Sequence, residues 1–298
     1  MYKGIFSPAV TIFDKNGQFD FEANEIVINN LIDNGINGIA FLGSMGEFFN
    51  ISLEKKKELI DFALKTVNGR VKVLIGTGGT DVDEVVELTK YAQGAGADAA
   101  LVVSPYYFKL DDESLYRYYA YVASSTDMDI MLYNFPDRTA VSLEPHLILR
   151  LAREFRNIVG IKDTVDSISH TRKLIKAIKP EFGEFSILSG FDEYLVPNLM
   201  AGGDGVICGL TNAAPQIFSS LYAAYNRKDL DTVESLQKRV NILMQLYDVT
   251  QPFVGGIKTA TSIVLGGEIS QQVGKPAKAA DEMQIETIKR ILREAELI

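Results

Sequence analysis

The feature that most constrains this chain is an alternation of two periodicities. Short apolar runs rich in β-branched residues recur at 5–12, 38–42, 71–75, 99–103, 130–132, 158–161, 185–188 and 205–208. Each reads as a buried strand. Between them, apolar residues return at helical spacing over 21–34, 53–67, 82–93, 113–124, 144–155, 168–177, 194–201 and 215–226. Strands separated by helices must pair in parallel, because the crossover helix returns the chain to the same end of the sheet.

About eight such units within residues 1–226 predict a closed (β/α)8 barrel, an α/β fold of TIM type. A doubly wound sheet would use similar helix-to-strand turns, and DNGINGIAFLG, GAGADAALVVS and MAGGDGVICG would suit either. The barrel is preferred because Phe13-Asp14-Lys15-Asn16-Gly17, after the first strand, lacks the glycine spacing of a dinucleotide-binding turn. Beyond residue 226 the alternation stops. Segments 229–248, 254–264 and 281–297 have helical spacing with no strand between them, so residues 227–298 are expected to form a C-terminal helical extension.

Composition narrows the function. The net charge is −9 with no basic run, which disfavours nucleic acid and anionic membranes as partners. No apolar run is long enough to span a bilayer. Cys208 is the single cysteine, so no disulfide can form within the chain. The two histidines, His146 and His170, stand apart from any cysteine, and no metal site is expected. The N-terminal stretch lacks a signal-peptide pattern, and a cytoplasmic location is expected.

In such a barrel the chemistry sits where strands run out into helices. Those ends read GSMGEFF, GTGGTD, SPYYFK, YNFPDRT, KDT, SGFDEY and CGLTN, each polar or small. Lys162 follows 158–161 directly, and lysine is rarely buried without a partner. An amine in a partly dry pocket loses its stabilising hydration, and the neutral form attacks ketones to give a Schiff base. Position alone leaves a second role open, a surface pair with Asp163. The same Gly-Ile-Lys tripeptide recurs at 256–258, but within an expected amphipathic helix, which gives Lys258 a structural role.

The small residues at 43–46 leave backbone N–H groups uncovered and fit either a carboxylate site or a plain turn. Tyr133 and Tyr107 suit proton transfer or rim packing. Glu47 suits acid–base work or loop anchoring. Cys208 suits a pocket wall facing the barrel or a small apolar filler.

Taken together and in this order, GSMGEF, SPYYF, YNFPDRT, GIKDT, GFDEY and AGGDGVICG resemble the dihydrodipicolinate synthase / N-acetylneuraminate lyase family of Schiff-base, pyruvate-handling aldolases. The resemblance covers almost the whole chain. It implies that Lys162 is the Schiff-base lysine and that Tyr133 relays protons to and from the substrate. It implies that Ser44 links Tyr133 to a second tyrosine, Tyr107, which reaches into the site of a neighbouring subunit. The Ser44–Met45 loop would hold the carboxylate of pyruvate, and the Gly190 and Ile207 backbone would line the lysine's pocket. A homo-oligomer follows, a tetramer built as a dimer of dimers. The covalent lysine adduct takes the place of a cofactor.

The loops are most similar to those of 2-keto-3-deoxy sugar-acid aldolases. Met45 stands where the synthase usually has a threonine, and Phe48 replaces a small residue. Asp192 and Glu193 match the pair that contacts substrate hydroxyls in the sialic acid lyase. Arg138 matches instead the synthase arginine that holds the second substrate's carboxylate. The expectation is a carbon–carbon lyase that reversibly cleaves a 2-keto-3-deoxy sugar acid to pyruvate and an aldehyde. Alternatives are the 4-hydroxy-tetrahydrodipicolinate (dihydrodipicolinate) synthase, which condenses pyruvate with aspartate semialdehyde, and a non-catalytic keto-acid-binding barrel.

Overall fold

The computed structural model describes residues 1–298. Eight parallel strands close into a barrel in sequential order: β1 (Gly4–Pro8), β2 (Gly38–Phe41), β3 (Lys72–Gly76), β4 (Ala99–Val103), β5 (Asp129–Asn134), β6 (Ile158–Asp163), β7 (Ser186–Ser189) and β8 (Gly205–Ile207), with β8 pairing back onto β1. The connecting helices are α1 (Phe21–Asp33), α2 (Leu53–Val67), α3 (Val82–Ala95), α4 (Asp112–Ser124), the short α5 (Pro136–Thr139), α6 (Pro145–Glu154), α7 (Ile168–Ile178), α8 (Leu195–Ala201) and α9 (Pro215–Arg227). Then follow α10 (Leu230–Leu243), α11 (Val254–Val264) and α12 (Glu282–Glu294). No helix is long and apolar enough to cross a membrane.

Helix starts follow from local chemistry. Asp20, Asp81, Asp111, Asp229 and Asp281 each accept backbone N–H groups of the first turn that have no partner within the helix. Asp281 adds a reciprocal bond through Gln284.

Period-two alternation divides every strand between two cores. Phe6, Ala40, Leu74, Leu101, Met131, Leu188 and Ile207 point into the barrel, closed below by Tyr2. Ile5, Ile39, Ile75, Val102, Leu132, Ile161 and Val206 point out to the helices. Gly160 belongs to the inner layer, where an added Cβ would lie 2.8 Å from Met131 Sδ and 2.7 Å from the Ser186 carbonyl oxygen. The glycine of the first Gly-Ile-Lys therefore makes room for Met131, and Lys162, two residues on, reaches the same interior one layer higher.

Four expectations are corrected. Strand β1 stops at Pro8 rather than at residue 12, because proline has no N–H for further pairing and the next residues turn into the rim. Residues 244–248 leave the α-helix and tighten into a 3₁₀ turn. Cys208 does not face the barrel: it is fully buried on the helix side and packs as an apolar filler. Helix α11 is not amphipathic but buried almost all round, from Val254 to Ser262.

The β1–β8 seam requires Gly205. Its φ is +147°, and a Cβ there would lie 2.0 Å from the Gly4 carbonyl oxygen. Gly205→Ala is expected to cost roughly 3 kcal/mol through strain and overpacking at the seam, measured as a lower urea midpoint with an unchanged slope.

Candidate active site

The register between β5 and β6 pairs Tyr133 with Lys162 directly across the sheet. Both belong to the inward-facing set, so the amine and the phenol ring are brought side by side at the top of the barrel. Lys162 Nζ lies 4.3 Å from the centre of the Tyr133 ring. Lys162 is 5% exposed and Tyr133 is 4% exposed. The Tyr133 hydroxyl is 3.4 Å from Ser44 Oγ, a contact that either group can donate.

The neighbouring Asp163 points the opposite way, which rules out the Lys162–Asp163 surface pair. Its Oδ1 accepts from Asn134 Nδ2 at 2.9 Å, and its Oδ2 is 2.9 Å from His170 Nδ1. Burial acts against a charged His170, but the hydrogen bond and charge of Asp163 outweigh it, so the imidazole's pKa is raised above its ordinary value. This buried set ties β5, β6 and α7 together behind Lys162 without entering the cavity.

Above Lys162 lies a cavity of about 560 Å³. Ser44, Met45, Tyr133, Arg138, Lys162, Gly190, Asp192, Glu193 and Ile207 all line it. Nine of the ten residues singled out in the sequence thus converge on one space. The tenth, Tyr107, does not. It is 87% exposed, has a left-handed φ of +90°, and packs edge-on to Phe108, which is exposed as well. Within one chain it meets neither Ser44 nor Tyr133.

The Ser44–Met45 turn is held open. Neither Ser44 nor Met45 donates its N–H to an acceptor in the protein. Uncovered N–H groups beside a hydroxyl suit a carboxylate. On the cavity wall as well, the Arg138 guanidinium stacks over Phe135 and Phe253, 5.3 and 5.9 Å from their ring centres. Its only hydrogen bond is a 3.4 Å contact to the Asp137 carbonyl, which leaves its donors available.

The acidic pair divides its work. Asp192 is 2% exposed, and both its oxygens are used: one accepts the Leu210 N–H at 2.7 Å, the other the Tyr247 hydroxyl at 2.9 Å. It serves as a strut between the β7 loop, the β8 loop and the C-terminal extension. Burial pushes its carboxyl up to about 7, against the pull of those two hydrogen bonds. Glu193 is different, because its Oε2 is buried without a partner. Burial raises its pKa as well. Thr164 Oγ1, also on the cavity wall, is likewise unpartnered.

Of the two roles open to Glu47 the structure shows loop anchoring, and Lys258 takes the structural role read for it. Lys258 is fully buried and Glu47 is 1% exposed, and the two form an ion pair. Lys258 also donates to the Gln272 carbonyl at 2.9 Å and sits 4.6 Å from the Phe13 ring centre. The two Gly-Ile-Lys copies therefore have opposite environments: one amine faces an open cavity, and the other is neutralised inside the protein.

The sequence reading missed the part of the wall supplied by the C-terminal extension. Met244, Tyr247, Asp248, Gln251 and Phe253 all line the cavity, and no motif marks them. Thr164 was within reach, since it lies two residues after Lys162 and shares its side of the strand end.

Below pH 4 both folded and unfolded chains carry a protonated Asp192. As pH rises from about 4 to about 7 only the folded chain keeps that proton, so stability falls. Asp192→Asn removes this slope. Its unfolding free energy relative to the unsubstituted protein should climb between pH 4 and 7 and then level off, read by urea titrations across that range. A constant difference would place the Asp192 titration elsewhere.

The Dihydrodipicolinate synthetase family profile matches residues 1–295. YagE of Escherichia coli K12, whose name carries a provisional 2-dehydro-3-deoxy-D-gluconate aldolase assignment, is 39% identical over 297 residues, 100% of this chain and 98% of that protein. Its crystal structure in complex with pyruvate superposes with a TM-score of 0.97 over the whole of both chains. YjhH of the same organism, named with similar reserve as a 2-dehydro-3-deoxy-D-pentonate aldolase, is 38% identical over 88% of this chain and 87% of its own. The 4-hydroxy-tetrahydrodipicolinate synthase of Thermotoga neapolitana is 32% identical over 100% of both. This protein is a carbon–carbon lyase of the dihydrodipicolinate synthetase family.

Proposed function

We propose that the protein is a pyruvate-dependent class I aldolase that reversibly cleaves a 2-keto-3-deoxy sugar acid through a Schiff base on Lys162. The observation that carries this reading is the buried Lys162 amine beside the Tyr133 ring, with the Tyr133 hydroxyl meeting Ser44.

In the condensing direction, the neutral Lys162 amine adds to C2 of pyruvate. The ketone oxygen takes a proton from Tyr133, and the amine returns one to the Tyr133 phenolate, giving a carbinolamine. Tyr133 protonates the carbinolamine hydroxyl, which leaves as water, and the protonated imine remains. That cation is an electron sink, so C3 gives a proton to the Tyr133 phenolate and an enamine forms. The enamine carbon attacks the aldehyde carbon, the new alkoxide is protonated, and water hydrolyses the imine to free Lys162. Cleavage runs the same steps backwards. The Ser44 and Met45 N–H groups with the Ser44 hydroxyl would orient the keto-acid carboxylate and so bring C2 to the amine. Gly190 and Ile207 shape the pocket around the imine.

Two features support a sugar-acid substrate. Glu193 and Thr164 offer unpartnered buried oxygens to a polyhydroxylated chain. The relatives YagE and YjhH bear 2-dehydro-3-deoxy sugar-acid names. Arg138 favours the second reading, dihydrodipicolinate synthesis, because its stacked and free guanidinium suits a carboxylate on the aldehyde. We assign the chain to the cytosol and, from the exposed Tyr107 and Phe108, to a homo-oligomer in which Tyr107 completes the site of a neighbouring copy.

Pyruvate followed by borohydride should leave a stable adduct on the peptide carrying Lys162, located by mass spectrometry. Lys162→Ala should carry none, and an adduct on Lys258 would sink the proposal. Tyr133→Phe should retain pyruvate binding while kcat falls by about 10²–10⁴-fold, the usual worth of a positioned proton donor. Turnover with glyceraldehyde but not aspartate semialdehyde separates the sugar-acid reading from the synthase.

A further inference from the structure

We propose that the buried Glu47–Lys258 pair is the positioning device that sets the affinity of the site for its keto-acid carboxylate, acting through the Ser44–Met45 turn. This rests on the aldolase reading above and adds a residue pair that touches no substrate.

The turn is weakly held by itself. Its internal bonds are long: Glu47 N–H to the Ser44 carbonyl at 3.2 Å and Phe48 N–H to the Gly43 carbonyl at 3.4 Å. Thr11 adds one strap, donating to the Gly46 carbonyl at 3.0 Å. Besides the long Ser44–Tyr133 contact and the packing of the Met45 side chain, the turn is tied to the rest of the protein through Glu47. One of its carboxylate oxygens receives Lys258 Nζ, and the other accepts the Gly274 N–H at 2.6 Å. Lys258 in turn is fixed by the Gln272 carbonyl and by the Phe13 ring. Four separated segments, the β1 and β2 loops, α11 and residues 272–274, thus meet at one buried charge pair.

Glu47 has a left-handed φ of +54°, a conformation costly for a residue with a side chain. Nothing in the turn itself demands a carboxylate there, and glycine would relieve the strain. The side chain is what holds that backbone, and the same backbone carries the Ser44 and Met45 N–H groups three and two residues before it. A hydrogen bond to a carboxylate weakens steeply with misalignment. A turn released from its anchor would therefore bind the carboxylate less well. Lys162 and the Tyr133 ring stand on strands β6 and β5 and would keep their geometry, and of their contacts only the long 3.4 Å Ser44–Tyr133 one belongs to the turn. The pair should govern pyruvate affinity and leave the chemical steps alone.

The test measures how much Lys162 adduct borohydride traps as pyruvate concentration rises, alongside KM and kcat. Glu47→Gln should shift half-saturation and KM upward about tenfold, the equivalent of one charge-assisted hydrogen bond, with kcat within about twofold. Removing one member of a buried pair is destabilising, so the double variant Glu47→Gln/Lys258→Met, which removes both charges, is measured as well and should shift the same way. Asn157→Ala serves as the control. Asn157 bonds the Ala123 and Thr126 carbonyls at the opposite end of the barrel, so its loss lowers stability far from the site. It should leave half-saturation unchanged. Unchanged half-saturation in both Glu47 variants, or an equal shift in the Asn157 control, overturns the inference while the aldolase reading stands. No adduct in the unsubstituted protein overturns both.

Discussion

Everything at this site depends on the closure of a parallel barrel with a period of two. Parallel strands all end at the same rim, so residues scattered from Ser44 to Ile207 arrive in one space. The alternation then sorts neighbours in sequence to opposite sides. Lys162 goes in and Asp163 goes out; Tyr133 goes in and Asn134 goes out. A one-residue slip of β6 against β5 would bury Asp163 beside the cavity and turn the amine toward the helices. The Asn134–Asp163–His170 network on the outer side helps hold that register.

The contrast between the two lysines shows how environment assigns roles. Both are almost fully buried. Lys258 meets a carboxylate and a carbonyl, and burial alone lowers its pKa against the pull of Glu47. Its charge is satisfied and its position fixed, so it works as a structural peg. Lys162 meets an aromatic face and an open cavity, and forms no ion pair, so its amine is accessible to a ligand. The tripeptide is identical; a strand end over a cavity and a helix inside a packed core give it different chemistry.

The C-terminal extension is part of the site. It contributes Tyr247 to the Asp192 strut, Phe253 to the platform under Arg138, and Lys258 to the Glu47 anchor. Each contact grips a different βα loop. The Arg138 platform and the Asp192 strut both line the cavity, and the Tyr247 hydroxyl of that strut converges with Met45 on Gly209. The shape of the cavity therefore depends on how residues 244–253, between α10 and α11, sit against the rim as well as on the loops.

Most of the barrel was legible because its two periodicities are written locally, in runs such as Ala99–Val103 and helices such as Leu53–Val67. Lys162, Tyr133 and Ser44 were legible because strand ends define a rim before any distance is known. The length of β1 was not, since Pro8 ends pairing inside an otherwise strand-like run. Neither was the side that Cys208 faces, because one residue of register decides it. Tyr247, Phe253 and the partner of Glu47 could not be read at all. The Glu47–Lys258 bond spans 211 positions and the Asp192–Tyr247 bond spans 55, and no local pattern encodes either. The sequence by itself determined the strands, the helices and which polar residues stand at the rim. Only the tertiary structure decided which of them meet, because burial, pairing and charge compensation are properties of the packed chain and not of its order.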